Sequence, residues 1–235
     1  MTGTLPTYTF ENNIAIIRMD DGKANVFSFA VVEALHKHLD QAAADKARSL
    51  VLIGRPGKFS AGFDLGEMTA SPESARSLVA AGAHLWLRIY GLEIPTVAAC
   101  TGHALAGGAI TLMSCDLRIG ADVPSKIGLN EVAIGLVLPK FAVELARERI
   151  AKSHFTAATM GAQIYDPAGA KDAGFLDLVV PEQELEAVAM QEAARLGLLR
   201  TGAYGATKAN ARAMMIAEVG AGVEADMASI DIPEV

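Results

Sequence analysis

Three short segments carry the residues best suited to chemistry. Ser60-Ala61-Gly62-Phe63-Asp64-Leu65 and Ala104-Leu105-Ala106-Gly107-Gly108-Ala109 bear glycines, and Ile127-Gly128-Leu129-Asn130-Glu131 follows them with one carboxylate. The small residues Ala61 and Gly62 let a ligand approach the backbone, so that the N–H of Phe63 can face a pocket. Gly107-Gly108 opens an apolar helical stretch directly after a loop, which concentrates free N–H groups and the positive end of a helix dipole at one spot. Two amides aimed at one thioester carbonyl, with a carboxylate beside them, could hold the charge that grows on the oxygen as a proton leaves the neighbouring carbon. Donors fixed in place need no reorganisation as that charge forms. This is enolate chemistry with a single base.

Each segment also has a plainer reading. Gly62 suits an ordinary tight strand-to-helix turn, and Gly107-Gly108 suits close helix packing. Glu131 lies in Ile127-Gly128-Leu129-Asn130-Glu131-Val132-Ala133-Ile134, where apolar neighbours would raise its pKa and sharpen it as a base. Most glutamates, however, are solvated or cap helices. His84, His103 and His154 have no second ligand at metal spacing and read as structural, so no metal is implied. Asp116, between Cys115 and Arg118, reads as a structural ion pair or turn cap. Ser60 lacks the G-x-S-x-G turn and an assignable His or Asp partner, so it is a poor nucleophile.

The elements that must position these groups follow from apolar spacing and caps. Tyr8–Phe10 and Ile14–Met19, separated by Glu11-Asn12-Asn13, read as a hairpin. Ser28 caps a helix in which Phe29, Val32, Leu35 and Leu39 share a face, ending near Ala44. Leu50–Ile53, Val97–Cys100, Leu117–Ile119 and Leu178–Val180 read as short strands. Ser71-Pro72 starts a helix through Tyr90, and Gly107–Ser114 is a buried one. Pro139–Ile150, Ser153–Met160, Pro167–Ala173, Glu182–Leu199 and Tyr204–Ala221 read as helices, with Gly220, Gly222 and the tail from Asp231 as a frayed end. Strand–helix alternation implies an α/β core with parallel strands, over residues 1–195, followed by a shorter helical region over 196–235.

The 235 residues are 51% hydrophobic, enough for one large core, and the formal charge is −7. Lysines and arginines are scattered, which argues against nucleic-acid or anionic-membrane partners. The two cysteines, Cys100 and Cys115, sit in apolar runs and suit buried thiols in a reducing compartment, so a cytoplasmic location is expected. Met1 to Pro6 lacks a secretory pattern, and every long apolar stretch is broken before bilayer length.

On these motifs the chain resembles the crotonase superfamily, the enoyl-CoA hydratases and isomerases, over nearly its whole length. Phe59–Leu65 is similar to that family's first oxyanion-hole segment, Thr101–Ala109 to its second, and Ser114–Ile119 with Ala121-Asp122 to the stretch beyond. The resemblance implies a spiral of ββα units with carboxy-terminal helices that assemble a homotrimer or dimer of trimers. It implies oxyanion donors at the N–H groups of Phe63 and Gly107, and Glu131 as a catalytic carboxylate. Backbone groups near Ala24, Val26, Ala61, Asp64 and Leu65 would hold coenzyme A, which belongs to the acyl-CoA thioester substrate, so that no separate cofactor is needed. Gly108 and Ile110 would line the substrate site. Hydratases of the family carry a second glutamate three positions after the glycine matching Gly107, and here that position is Ile110. Gly128-Leu129-Asn130-Glu131 with Ile134-Gly135-Leu136-Val137-Leu138-Pro139 is similar to Δ3,Δ2-enoyl-CoA isomerases, which work with one glutamate. Isomerase is therefore the expected activity, with a hydratase or a silent acyl-CoA binder as alternatives. The chain stops soon after Met227, short of a further helix usual in the family.

Overall fold

The computed structural model describes residues 4–230. In chain order, the hairpin β1 (Thr7–Glu11) and β2 (Ile14–Arg18) precedes α1 (Phe29–Ala44), β3 (Ser49–Ile53) and β4 (Gly57–Ser60). Next come α2 (Leu65–Met68), α3 (Pro72–Gly91), β5 (Thr96–Cys100), β6 (Gly102–Leu105) and α4 (Gly107–Ser114). Then β7 (Leu117–Ala121), β8 (Ile127–Gly128), α5 (Lys140–Arg149), α6 (Lys152–Ala158) and α7 (Pro167–Ala173) follow, and β9 (Leu178–Val180), α8 (Leu185–Gly197) and α9 (Thr201–Ser229) close the chain.

The expected caps are in place: Ser28 Oγ accepts from Val31 N, Ser71 Oγ accepts from Ser74 N with Pro72 at the first helical position, and Gly174 ends α7 at φ 98°. Such caps satisfy amides and carbonyls that the helix itself cannot.

The strands read from the sequence all lie in one sheet, and three shorter strands not read from it form a second. The larger has the order β1-β2-β3-β5-β7-β9, with only the β1–β2 pair antiparallel. The smaller has the order β4-β6-β8 and is all parallel. From β3 onward consecutive strands alternate between the sheets, so each turn of the spiral adds one strand to each. Where the sheets meet, backbones touch: a side chain on Gly102 would collide with the backbone of Gly57, and one on Gly54 would lie 2.5 Å from Thr101 Oγ1. Glycine is required at both crossings.

The main core lies between the sheets and the helices, around Trp86, Phe27, Phe59, Phe141 and Phe175, all fully buried. A second layer packs α8, through Leu185, Ala189 and Ala193, on the other face of the large sheet. Cys100 and Cys115 are free and buried, and burial pushes both thiols up to about 12.

The last helix departs from expectation. It does not fray at Gly220 but continues to Ser229, because Val223 and Met227 beyond the glycines are buried in the main core. That burial outweighs roughly 1 kcal/mol of helix propensity lost per glycine. The tail from Asp231 lies outside the described residues. Asp116 anchors the helix: its carboxylate takes Lys208 Nζ at 2.8 Å and an Arg212 guanidinium nitrogen at 2.6 Å, and it also accepts from Thr96 N. Asp116 is thus the structural ion pair expected from sequence, but its partners are on α9, whereas Arg118 pairs with Asp177. No helix among the described residues is long and apolar enough to cross a membrane.

Candidate active site

The small sheet brings the three chemical segments together. Ala61-Gly62-Phe63 follows β4, Ala106-Gly107 follows β6, and Leu129-Asn130-Glu131 follows β8. The strands are adjacent and parallel, so all three segments leave the same edge of the sheet. Carboxyl ends of parallel strands are where α/β folds place ligands.

Phe63 forms a parallel bridge to Phe27, in which Phe27 N donates to Gly62 O at 2.8 Å and Asp64 N donates to Phe27 O at 3.0 Å. In that pattern the central residue turns its own N–H away from its partner, so the Phe63 N–H is left free among the described residues. Gly107 N, at the start of α4, is likewise without an intrahelical acceptor. The two segments touch. A side chain on Gly62, whose φ is +96°, would lie 3.0 Å from Ala106 Cβ and 3.3 Å from Gly107 N. Ser60 is buried, and its Oγ accepts from Gly62 N at 3.2 Å, which shapes the turn and leaves the hydroxyl a structural part.

Sequence reasoning missed two contributors. Ala106 sits at φ 48°, ψ −118°, a conformation costly for a residue with a side chain. Its N–H donates to Gly128 O at 3.1 Å, locking the end of β6 to the end of β8 and turning the chain into α4. Asn25, buried at φ 52°, donates through Nδ2 to Met19 O, Lys58 O and Phe59 O, pinning the loop before α1 against β4. An asparagine before the first helix was the available signal, since asparagine tolerates this backbone and bonds to it.

Glu131 begins a tight turn in which its carbonyl accepts from Ile134 N at 3.1 Å and Leu136 N at 2.9 Å. The residue as a whole is half-buried, yet its carboxylate oxygen Oε2 is buried without a hydrogen-bond partner, as is Asn130 Oδ1 beside it. Burial raises the Glu131 pKa from 4.5 to about 7, opposed only in part by the backbone amides of Glu131 and Asn130. A carboxylate of that pKa is poised to take and return a proton near neutral pH.

The remaining predicted residues lie around this edge. Ala24 O accepts from Ala61 N at 2.9 Å, Val26 N donates to Asp21 Oδ2 at 3.3 Å, and Asp64 caps α2 by accepting from Glu67 N. Leu65 is exposed, Gly108 packs against Ser60, and Ile110 is buried in the first turn of α4. Two other carboxylates that could have joined Glu131 are placed elsewhere. Glu67 Oε2 accepts from Phe29 N at 2.8 Å, and Glu93 is exposed against Gly205 of α9. His103 Nδ1 accepts from Lys126 N, His84 faces Glu224, and His154 lies against Tyr165.

The two-sheet spiral is the crotonase fold. The family model described as enoyl-CoA hydratase/isomerase matches residues 9–228, and the chain belongs to that family. The human protein named enoyl-CoA delta isomerase 1, mitochondrial, is 32% identical over 203 residues, which span 85% of this chain and 67% of the human one. A Bacillus subtilis protein named probable enoyl-CoA hydratase is 36% identical over 132 residues, 55% of this chain and 50% of that one. The crystal structure of an enoyl-CoA hydratase/isomerase family protein from Pseudomonas syringae superposes with a TM-score of 0.94 at 40% identity, covering 97% of this chain and 98% of that one.

Proposed function

We propose that the protein is a Δ3,Δ2-enoyl-CoA isomerase with Glu131 as its only base. The observation that carries this reading is the Glu131 carboxylate, whose Oε2 is buried without a partner, held near pKa 7 at the strand edge that also bears two free amides. In this mechanism the thioester oxygen of a 3-enoyl-CoA accepts from Phe63 N–H and Gly107 N–H. Glu131 removes a C2 proton, the electron pair delocalises into a dienolate, and the carboxylic acid so formed returns the proton at C4. The double bond moves to C2 and the base is regenerated, so one carboxylate is enough. Each donor is worth about 2.7–4 kcal/mol of barrier if it behaves as such donors do elsewhere.

Ile110 supports isomerisation over hydration, because an isoleucine cannot hold a water for addition to C3. Ala24, Val26, Ala61, Asp64 and Leu65 would seat the coenzyme A portion, with Gly108 and Ile110 lining the acyl site. The carboxy-terminal helical region would assemble a trimer or a dimer of trimers in the cytoplasm.

The test is to offer the protein a 3-enoyl-CoA and a 2-trans-enoyl-CoA in separate reactions. Conversion of the first to the 2-trans isomer, lost in Glu131→Gln, is the expected result. Hydration of the second without isomerisation of the first would make the protein a hydratase, and binding without either reaction would make it a silent acyl-CoA binder.

A further inference from the structure

The two free amides belong to different segments, and one side chain touches both. Trp86 of α3 is fully buried. Its ring lies 5.4 Å, centroid to centroid, from that of Phe63 and 5.5 Å from that of Phe27, the bridge partner that orients the Phe63 amide. The same indole covers Gly107 so closely that a side chain there would come within 2.9 Å of it. One turn earlier on α3, Gly82 leaves the space that the Phe63 ring fills: a side chain at Gly82 would be 2.7 Å from that ring and 2.9 Å from the indole.

The indole also has a polar connection to the second amide segment. Trp86 Nε1 donates to Thr111 Oγ1 at 2.9 Å, and Thr111 Oγ1 donates to Gly107 O at 2.7 Å, both bonds being buried. A threonine bonding four residues back is common in helices, and a buried indole N–H needs some acceptor. Here the two needs are met by a single hydroxyl that ends on the residue carrying the free N–H.

We propose that Trp86 and Thr111 are positioning residues that set the separation and direction of the Phe63 and Gly107 amides. The indole is a fixed spacer between the segments, and the Trp86–Thr111–Gly107 chain fixes the Gly107 carbonyl, which limits rotation about the Gly107 Cα and so steadies the preceding peptide, whose N–H faces the ligand. The inference rests on the reading of those amides as the donors to a thioester oxygen. Thr111 touches neither the substrate nor the base, so its loss should act on the reaction step more than on binding.

Two measurements test this. In the first, Thr111→Val removes both hydrogen bonds at nearly constant volume, and Thr111→Ser keeps them. Isomerisation by the valine variant should lose about tenfold or more in kcat with KM within about twofold, since a small misplacement of a catalytic group can cost as much as about 100-fold. The serine variant should return to within about threefold of the wild type. A valine variant with wild-type kcat and a lower Tm would reduce the pair to a packing role and overturn the proposal.

The second needs no variant, because Trp86 is the only tryptophan in the chain. Its emission should change on adding 2-trans-enoyl-CoA and respond much less to free coenzyme A, which has no carbonyl. Calorimetric binding of the thioester with silent emission would sink the positioning role while leaving the isomerase reading standing. A protein that neither binds nor turns over enoyl thioesters would overturn both.

Discussion

Glu131→Gln should make the protein inactive and, relative to the wild type, progressively more stable as the pH rises through neutral. The wild-type carboxylate ionises with a pKa raised by burial from 4.5 to about 7. A raised carboxylate pKa means that the folded state holds the proton more tightly than the unfolded state. Below the ordinary value both states are protonated and nothing is lost, but stability then declines with rising pH until the folded pKa is passed. The displacement from 4.5 to about 7 corresponds to about 3 kcal/mol, most of it accumulated between about pH 5 and pH 8. Glutamine does not titrate, so its own packing cost is a constant offset and only the pH-dependent part separates the two proteins. Thermal melts of both across that range should diverge by about 6–12 °C, given about 2–4 °C per kcal/mol for a chain of this size. In parallel, wild-type kcat/KM should rise with pH through about 7 and then level, as the free base forms. A stability difference flat in pH, or a rate profile that breaks near 4.5, would refute the buried-base argument.

Gly62→Ala forces a side chain into a left-handed backbone at φ +96°, 3.3 Å from Gly107 N. It should cost about 1–3 kcal/mol in chemical denaturation and lower kcat by about tenfold or more; unchanged kcat would show that the two segments need not be so close. Asp116→Asn leaves Lys208 and Arg212 without their shared counter-charge in a buried site. The expected loss is about 3–5 kcal/mol at neutral pH. Burial alone would raise the Asp116 pKa, but Lys208 and Arg212 outweigh it and hold it below the ordinary value. The stabilisation is therefore present at neutral pH and disappears only as the pH falls below about 4, through the folded pKa. A difference between wild type and variant that persists at lower pH would contradict that sign.

The helices and long strands were legible because their signals are local. Ser28, Ser71-Pro72 and Gly174 mark ends through their own backbone bonds, and Leu50–Ile53 and Val97–Cys100 are apolar runs of strand length. The strands β4, β6 and β8 are two to four residues each, too short for any periodicity, and they read as glycine loops until a neighbouring strand pairs with them. The course of α9 past Gly220 and Gly222 depends on Val223 and Met227 reaching the core, and the partners of Asp116 lie 92 and 96 residues away. Residue types alone set the chemistry on offer, glycines that free an amide and one carboxylate in apolar surroundings, and the family resemblance added that Ile110 stands where hydratases carry a second glutamate. Tertiary structure decided that these meet, because only the parallel register β4-β6-β8 places three separate segments at one sheet edge. It alone also decided that Glu131 Oε2 is buried without a partner, since the desolvation that lifts the carboxyl pKa comes from the assembled site around it as well as from its sequence neighbours.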